Sequence, residues 1–241
     1  MCVSAQDPKA DAVIAKAVEL MGGSRYLAVT SQVGRGSFSS LRKGGVVGYQ
    51  NFTDVIVFPD KERTEFKGAG SRSTQVNTGD TGWIYDGDQE IVKVQTPVQI
   101  ANFKRGIRTS LDSLLRGYWK GDATLSYVGR RQGGLGKRND VVKLTYNDGF
   151  AVEFEFADDG MPVKALYTHK TAGDEEVKDE DRYAQFVDID GVKTPFIIDR
   201  FEDGTPVSRI NYEKVDFNKR IPDSAFAKPT SVKEARKTVN R

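Results

Sequence analysis

Reactive side chains are scarce in this sequence. Its 241 residues include one cysteine, Cys2, and one histidine, His169. Catalysis by histidine would have to use His169, which lies at a predicted strand end in a chain without a Gly-x-Ser-x-Gly elbow. We therefore predict a protein that is not an enzyme, with no catalytic residue, no metal and no cofactor. A hydrolase or isomerase would become credible again if a carboxylate pair with perturbed pKa values lay deep in a pocket.

The sequence also lacks long apolar runs and an excess of charge of either sign. Its 36 basic and 34 acidic residues leave a net charge of +2, and the lysines and arginines are dispersed, so no nucleic-acid surface is expected. No segment approaches the roughly 18 apolar residues of a transmembrane helix. No linker or repeat interrupts the chain, and we expect one domain over residues 6–229 and a basic tail over residues 230–241.

Several short segments contain fragments of ligand-binding motifs. The turns 158–160 (DDG) and 188–191 (DIDG) lack the spacing and closing glutamate of a calcium loop, and we interpret them as turns. The segment 133–137 (GGLGK) lacks the Ser or Thr of a phosphate loop, and we predict a hairpin tip within a local basic patch. The acidic run 174–181 is interpreted as a solvated loop or sheet edge.

The first residues resemble the end of a signal peptide. Val3-Ser4-Ala5 has the small-x-small pattern that precedes cleavage, which makes residues 1–5 a remnant and Gln6 the mature start. A chain from Gln6 has no cysteine and hence no disulfide. The alternative is that Cys2 is lipidated and anchors the protein to the outer membrane. Both interpretations predict an exported, periplasmic protein.

One long helix-like segment occupies residues 96–118 in the middle of the chain. Thr96 and Pro97 are typical of an N-cap and a first helical residue, and apolar residues then recur at steps of three and four. Gly106 lowers helix propensity by roughly 1 kcal/mol relative to alanine, so two short helices that meet at a bend there are the alternative to one helix. The segment is either a helix that closes a core or a movable cover over an apolar ligand.

Most of the remaining chain has the two-residue alternation of strands. After a first helix over residues 8–21, strands are expected near 31–39, 45–58, 61–67, 72–77 and 81–93. Beyond the central helix they are expected near 142–146, 150–156, 162–169, 180–189, 192–201 and 206–217. This predicts a mainly β (α+β) protein with an antiparallel sheet of about ten to eleven strands that curls around helices.

Three passages resemble the periplasmic lipoprotein-carrier superfamily, the LolA/LolB-like proteins. They are the helix end and following turn over 20–27 (LMGGSRYL), the hairpins over 186–204 (FVDIDGVKTP to FEDG) and the closing strand and hook over 210–229 (INYEKV to P). The resemblance implies an unclosed, strongly curved antiparallel β-barrel whose concave face is plugged by helices and holds lipoprotein acyl chains or related lipids. No residue can be matched to the lid-latching arginine of the better-known carriers.

We therefore expect a non-enzymatic carrier that holds lipid or an acylated lipoprotein between sheet and central helix, since each buried methylene contributes about 0.8 kcal/mol. Envelope membrane proteins are further expected partners, nucleic acid is not, and the protein is expected to be a monomer. The alternative is an envelope scaffold or receptor whose hollow is filled by its own helices and which docks another protein. The residues expected to line the cavity or lid, each also compatible with dry core, are Trp83, Tyr85, Ile100, Phe103, Ile107, Leu111, Leu114, Leu115, Phe150, Val152, Phe154 and Phe156.

Overall fold

The computed structural model describes residues 7–68, 70–171 and 173–236. The predicted signal-peptide remnant with Cys2, the residue Gln6 and the last five residues of the predicted tail lie outside these ranges. Within them, no helix is both long and apolar enough to cross a membrane.

Thirteen strands form one antiparallel sheet with the order β6-β5-β4-β3-β2-β1-β13-β12-β11-β10-β9-β8-β7. The sheet is unclosed: β6 and β7 are its two edge strands and are not hydrogen-bonded to each other. The predicted mainly β class with an open antiparallel sheet is therefore confirmed. The strands are β1 (Ser31–Arg42), β2 (Gly45–Val57), β3 (Lys61–Gly68), β4 (Ser71–Thr78), β5 (Thr81–Asp86), β6 (Ile91–Val94), β7 (Ala123–Gly134), β8 (Lys137–Tyr146), β9 (Ala151–Phe156), β10 (Pro162–Lys170), β11 (Glu176–Ile189), β12 (Val192–Glu202) and β13 (Thr205–Phe217).

Two features raise the strand number above the prediction. The expected strand over 81–93 is two strands, since the Asp86 carboxylate accepts the Asp88 and Gln89 amides, each at 3.1 Å, and turns the chain. Gly87 is required there, because a Cβ would lie 1.9 Å from the Arg72 carbonyl oxygen. Strand β7 was not predicted, and Leu125 is its one buried residue, so its sequence carries little alternation.

The acidic run also differs from its interpretation as a loop or sheet edge. Residues from Glu176 onward belong to β11, which pairs with β10 on one side and β12 on the other. The predicted hairpin tip at 133–137 is confirmed, because Gly134 pairs with Lys137 at the end of β7 and β8.

The chain divides into two compact units. Unit 1 comprises residues 1–28, 41–45 and 108–209, and contains the helices α1 (Pro8–Met21), α2 (Ser24–Leu27) and α4 (Leu111–Arg116). Asp7 caps α1: its carboxylate accepts the Lys9 amide at 3.1 Å and also the Tyr127 amide of β7 at 2.7 Å. Gly22 ends α1 where a Cβ would lie 2.3 Å from the Gly191 carbonyl oxygen, so helix and hairpin approach closely there.

Unit 2 comprises residues 29–40, 46–107 and 210–241, and contains most of α3 (Pro97–Thr109) and all of α5 (Val232–Ala235). Its core joins buried strand residues such as Val55, Val76 and Trp83 to Phe226 and Ala235 from the end of the chain. We call residues 221–236 the C-terminal segment. Residues 230–236 were assigned to a tail, yet Ala235 of α5 is only 2% exposed. The division into one domain and a tail remains a prediction.

The C-terminal segment is held to its strands by side chains that donate to its carbonyl groups. Arg63 Nη1 donates to the Ala225 oxygen at 3.0 Å, and Trp83 Nε1 donates to the Phe226 oxygen at 2.9 Å. Arg72 Nη1 donates to the Arg236 oxygen at 2.8 Å. The bonds to Ala225 and Phe226 satisfy carbonyl groups that would otherwise be buried without partners.

Replacing Phe226 by alanine should lower the free energy of unfolding by about 3 kcal/mol or more, because the change leaves a cavity beside Trp83. Urea unfolding followed by Trp fluorescence measures this change. The exposed Lys228 serves as the control, and its replacement by alanine should stay within about 0.5 kcal/mol. Equal, small effects at both positions would show that the C-terminal segment is not part of the core.

Candidate functional site

Helix α3 begins as the sequence predicts. The Thr96 hydroxyl accepts the Gln99 amide at 3.3 Å, and the Gln99 side chain accepts the Thr96 amide at 2.8 Å. This reciprocal pair is a capping box, and Pro97 occupies the first helical position, where no amide is needed.

The central segment is two helices, but the break is not at Gly106. Gly106 lies inside α3, and the chain breaks at Ser110, whose hydroxyl accepts the Ser113 amide at 3.0 Å and caps α4. A side-chain cap is a stronger boundary than a glycine, because it satisfies an amide of a new helix. Gly117, with a φ of 73°, ends α4.

The two helices differ in burial. In α4, the predicted residues Leu111, Leu114 and Leu115 are buried, with Leu114 fully inaccessible. In α3, Thr109 is the one buried residue, and the predicted apolar residues are half-buried. The half-buried residues are Ile100, Phe103 and Ile107.

The predicted residues of β9 belong to the core of unit 1. Val152, Phe154 and Phe156 are at most 1% exposed. In the register with β8, Val152 lies opposite Leu144 and Phe154 opposite Val142, both of which are also buried. Phe150 is half-buried, and its ring centroid lies 6.0 Å from that of Tyr146 and 6.2 Å from that of Tyr167.

Arg108, at the end of α3, is bound to the hairpin between β8 and β9. Its two Nη atoms donate to the Asp148 carboxylate at 2.8 and 2.6 Å, and its guanidinium carbon lies 3.9 Å from the centroid of the Tyr146 ring. Tyr146 in turn donates its hydroxyl to the Arg108 carbonyl at 2.9 Å. The Arg108 hydrogen bonds lower the pKa of Asp148 to about 2.

Trp83 and Tyr85 lie on one face of β5, as predicted, and are 4% and 3% exposed. That face is covered by the C-terminal segment: the Trp83 indole donates to Phe226, and Arg236 Nε donates to the Tyr85 hydroxyl at 3.1 Å. The apolar surface of both residues is therefore in contact with the chain itself. Whether any of the twelve predicted residues touches a ligand remains a prediction.

Sequence reasoning missed a row of ionisable groups on β10, β11 and β12. His169 Nδ1 is hydrogen-bonded to Asp179, and Arg200 Nε lies 3.4 Å from the Asp181 carboxylate. Burial raises the pKa of Asp181, although Arg200 opposes that shift. Burial also raises the pKa of the neighbouring Tyr183 well above its usual value. Alternation along β11 places Asp179, Asp181 and Tyr183 on one face. Their partners His169 and Arg200 lie on the neighbouring strands, and only the strand register brings these side chains together.

A second polar group in unit 1 joins α2 to α4. The Tyr26 hydroxyl donates to Asp112 at 2.7 Å, and Arg116 Nε donates to the same carboxylate at 2.9 Å. Arg116 Nη1 donates to the Tyr26 carbonyl at 2.7 Å, and the Arg116 side chain is 3% exposed. A buried arginine of this kind is retained because its donors are met by oxygen atoms.

Unit 2 contains a buried carboxyl pair. The Thr64 hydroxyl oxygen lies 2.9 Å from Asp54 Oδ1 and 3.1 Å from Glu62 Oε1. A hydroxyl donates one proton, so both contacts are hydrogen bonds only if one carboxyl is protonated and donates to Thr64. Burial first, and the charge of Glu62 second, raise the pKa of Asp54 well above its usual value.

Asp54 and Asp181 are carboxyls with perturbed pKa values, the kind of group that could support catalysis. Neither is hydrogen-bonded to a cysteine or lysine nucleophile in the described contacts. The described part of the chain also contains no group of three or more His, Cys, Asp or Glu side chains that could hold a metal. Chemically, the two units offer buried apolar surface, fixed hydrogen-bonding groups and one half-covered helix.

Replacing Arg108 by lysine should raise the pKa of Asp148 from about 2 toward its ordinary value of 3.8, because lysine keeps the charge but loses the two-pronged contact. Carboxyl ¹³C chemical shifts of Asp148, followed on acid titration, measure the pKa. An unchanged value in both the lysine and a methionine variant would show that Arg108 does not stabilise the carboxylate.

Replacing Asp54 by asparagine should remove a contribution to the free energy of unfolding that decreases as the pH rises. The pKa of Asp54 is raised in the folded state, so the stability it contributes is complete below about 3.8 and is lost as the pH rises through the higher folded value. The gap in free energy of unfolding between variant and wild type should therefore shift in favour of the variant from pH 4 to pH 8. Urea unfolding at each pH measures this gap, and a constant gap would contradict the assignment.

No protein-family model matches the sequence, and no curated protein matches it significantly. Solved structures do match. A DUF1329 family protein from Desulfovibrio piger ATCC 29098 superposes with a TM-score of 0.63 at 15% identity, over 92% of this chain and 98% of that chain. The LolA superfamily protein NE2245 from Nitrosomonas europaea superposes with a TM-score of 0.60 at 16% identity, over 91% of this chain and 97% of that chain. The chain therefore has a LolA-like fold, as its sequence resemblance implied.

Proposed function

We propose that the protein is a non-enzymatic binding protein or carrier for a hydrophobic ligand, and that lipid or lipoprotein acyl chains lie against helix α3. The incomplete burial of α3 carries this proposal. Ile100, Phe103 and Ile107 recur at steps of three and four along one face of α3 and are half-buried. The leucines of α4 are buried. An acyl chain would cover the remaining apolar surface, and such burial is favourable in proportion to area.

The attachments of α3 support a role as a movable cover. At its end, Arg108 donates two hydrogen bonds to the Asp148 carboxylate, and the Arg108 guanidinium lies over the Tyr146 ring. Along its length, Lys104 pairs with Asp80, but these side chains are 50% and 82% exposed. An exposed pair of this kind contributes only about 0 to 1 kcal/mol. The helix thus has a two-pronged ion pair at its end, and the ion pair at Lys104 contributes little to holding it in place.

The proposed setting is the periplasm, with acylated lipoproteins and envelope membrane proteins as partners and a monomeric carrier. The LolA-like fold supports this setting, since the structural match to a LolA superfamily protein covers 91% of this chain and three sequence passages resemble the lipoprotein carriers. Catalysis has no part in the proposal, because holding an acyl chain needs apolar area and not a reactive group.

One observation favours the alternative, an envelope scaffold or receptor filled by its own chain. Trp83 and Tyr85, two predicted ligand contacts, are covered by the C-terminal segment and bonded to it. In unit 2 the chain therefore fills part of its own apolar surface. If the same holds for α3, the protein docks a partner without carrying lipid.

The decisive experiment is native and denaturing mass spectrometry of the purified protein, with organic extraction of whatever is bound. We expect a stoichiometric lipid, fatty acid or acylated peptide. Replacing Phe103 and Ile107 together by serine should reduce retention at least about tenfold, because each removes apolar contact. The control is Val98→Ser on the same helix, since Val98 is 68% exposed and should not contact ligand.

Two results would contradict the proposal. Absence of bound lipid, together with no uptake of added lipid, would favour the self-filled scaffold. Equal retention by the double variant and by Val98→Ser would show that α3 does not cover the ligand. Serine at Leu111 or Leu114 is unsuitable for this test, because both are buried and their loss costs core stability.

A further inference from the structure

The start of β2 exposes apolar side chains in an unusual concentration. Val46 and Val47 are each 62% exposed, and Tyr49 is 57% exposed. Single exposed apolar residues are ordinary, but three within four positions of one strand form a patch that calls for a physical explanation.

The register explains why these residues are uncovered. Strand β3 pairs with β2 from Asn51, opposite Lys67, to Val57, opposite Lys61. The β2 residues 45–49 therefore precede the part of the strand that pairs with β3. Successive strand residues point to opposite faces, so Val46 lies on one face and Val47 and Tyr49 on the other. A strand that borders water on one side alternates apolar and polar residues, and this one is apolar on both faces.

The turn before this patch is short and basic. Lys43 and Gly44 have φ values of 51° and 77°, which are typical of a tight two-residue hairpin turn. Arg42 and Lys43 are both exposed. No aspartate or glutamate occurs from Leu20 to Thr53, although the chain contains 34 acidic residues. The hairpin end thus combines two exposed basic side chains with exposed apolar ones.

We propose that this hairpin end, residues 42–49, docks on a bilayer surface that contains anionic lipid. Val46 and Val47 enter the boundary between head groups and acyl chains, and Tyr49 lies at the interface, where an aromatic ring with a polar tip is favoured. Arg42 and Lys43 contact lipid phosphate groups, which attract basic side chains near the surface. The proposal does not depend on ligand binding under α3.

Charge complementarity favours this occupant over a second copy of the chain. A second copy of the chain would place the basic turns of two molecules near each other if the same patches met. A bilayer surface supplies both the apolar medium and the negative charge. Self-association and capture of a protein partner are therefore outcomes that the experiment must separate from lipid docking.

The β7–β8 hairpin provides a matched control. Its end also carries an exposed apolar residue, Leu135 at 101%, and two adjacent exposed basic residues, Lys137 and Arg138. The same types of substitution can therefore be made at both hairpins. Two double variants test the β1–β2 hairpin: Val46→Ser with Val47→Ser, and Arg42→Glu with Lys43→Glu. Two variants of the β7–β8 hairpin are the controls: the single change Leu135→Ser, and the double change Lys137→Glu with Arg138→Glu.

The experiment is vesicle flotation of the full chain, with phosphatidylcholine vesicles that contain about 30 mol% phosphatidylglycerol compared with phosphatidylcholine alone. We expect binding to the anionic vesicles to exceed binding to neutral ones by at least about tenfold and to weaken at high salt. Each β1–β2 double variant should lose about tenfold, and the β7–β8 variants should retain binding. Tyr49→Trp should show a blue-shifted emission on anionic vesicles only.

The proposal is overturned by equal binding to both vesicle types, by no binding to either, or by loss of binding in the β7–β8 variants alone. Sedimentation velocity without lipid tests the remaining occupant. A dimer that Val46→Ser with Val47→Ser abolishes would assign the patch to a second copy. Circular dichroism of every variant ensures that a loss of binding is not a loss of fold.

Discussion

The Ser110 cap determines how the middle of this protein is divided. By accepting the Ser113 amide it ends α3 and starts α4, so the two helices take separate paths. Helix α4 becomes part of the core of unit 1, with Leu114 fully inaccessible. Helix α3 keeps half-buried apolar residues such as Phe103 and is anchored at Arg108.

Both units bury ionisable groups, and this limits what the apolar interior can bind. Asp54 lies beside Glu62 in unit 2, and Asp181 lies beside Arg200 in unit 1. Burying such groups is costly unless they are paired or neutralised, and here they are.

The fold was predictable from the sequence to the extent that it rests on alternation and caps. The apolar face of Val152, Phe154 and Phe156, and the capping residues Thr96 and Asp7, are read directly from local spacing. The break at Ser110 was not predicted, because helix propensity placed the expected bend at Gly106. A serine cap is recognised only when the next helical turn supplies the amide that it accepts. Strand β7 was missed since few of its residues alternate.

The polar groups were hidden for a different reason. Asp179 and Asp181 lie in an acidic run, which in isolation is typical of a solvated loop. Their partners His169 and Arg200 come from neighbouring strands, and only the register of β10, β11 and β12 brings them together. The predicted ligand residues share this limitation: sequence spacing identified Trp83 as an inward-facing residue, but not the C-terminal segment that covers it.

Hydrogen exchange of the α3 and α4 amides, with and without added lipid, tests the carrier account most directly. In lipid-free protein the account predicts fast exchange in α3 and slow exchange in α4. On addition of lipid, exchange in α3 should slow while exchange in α4 changes little. Equal protection of both helices that lipid leaves unchanged would contradict the account and indicate a hollow filled by the protein itself.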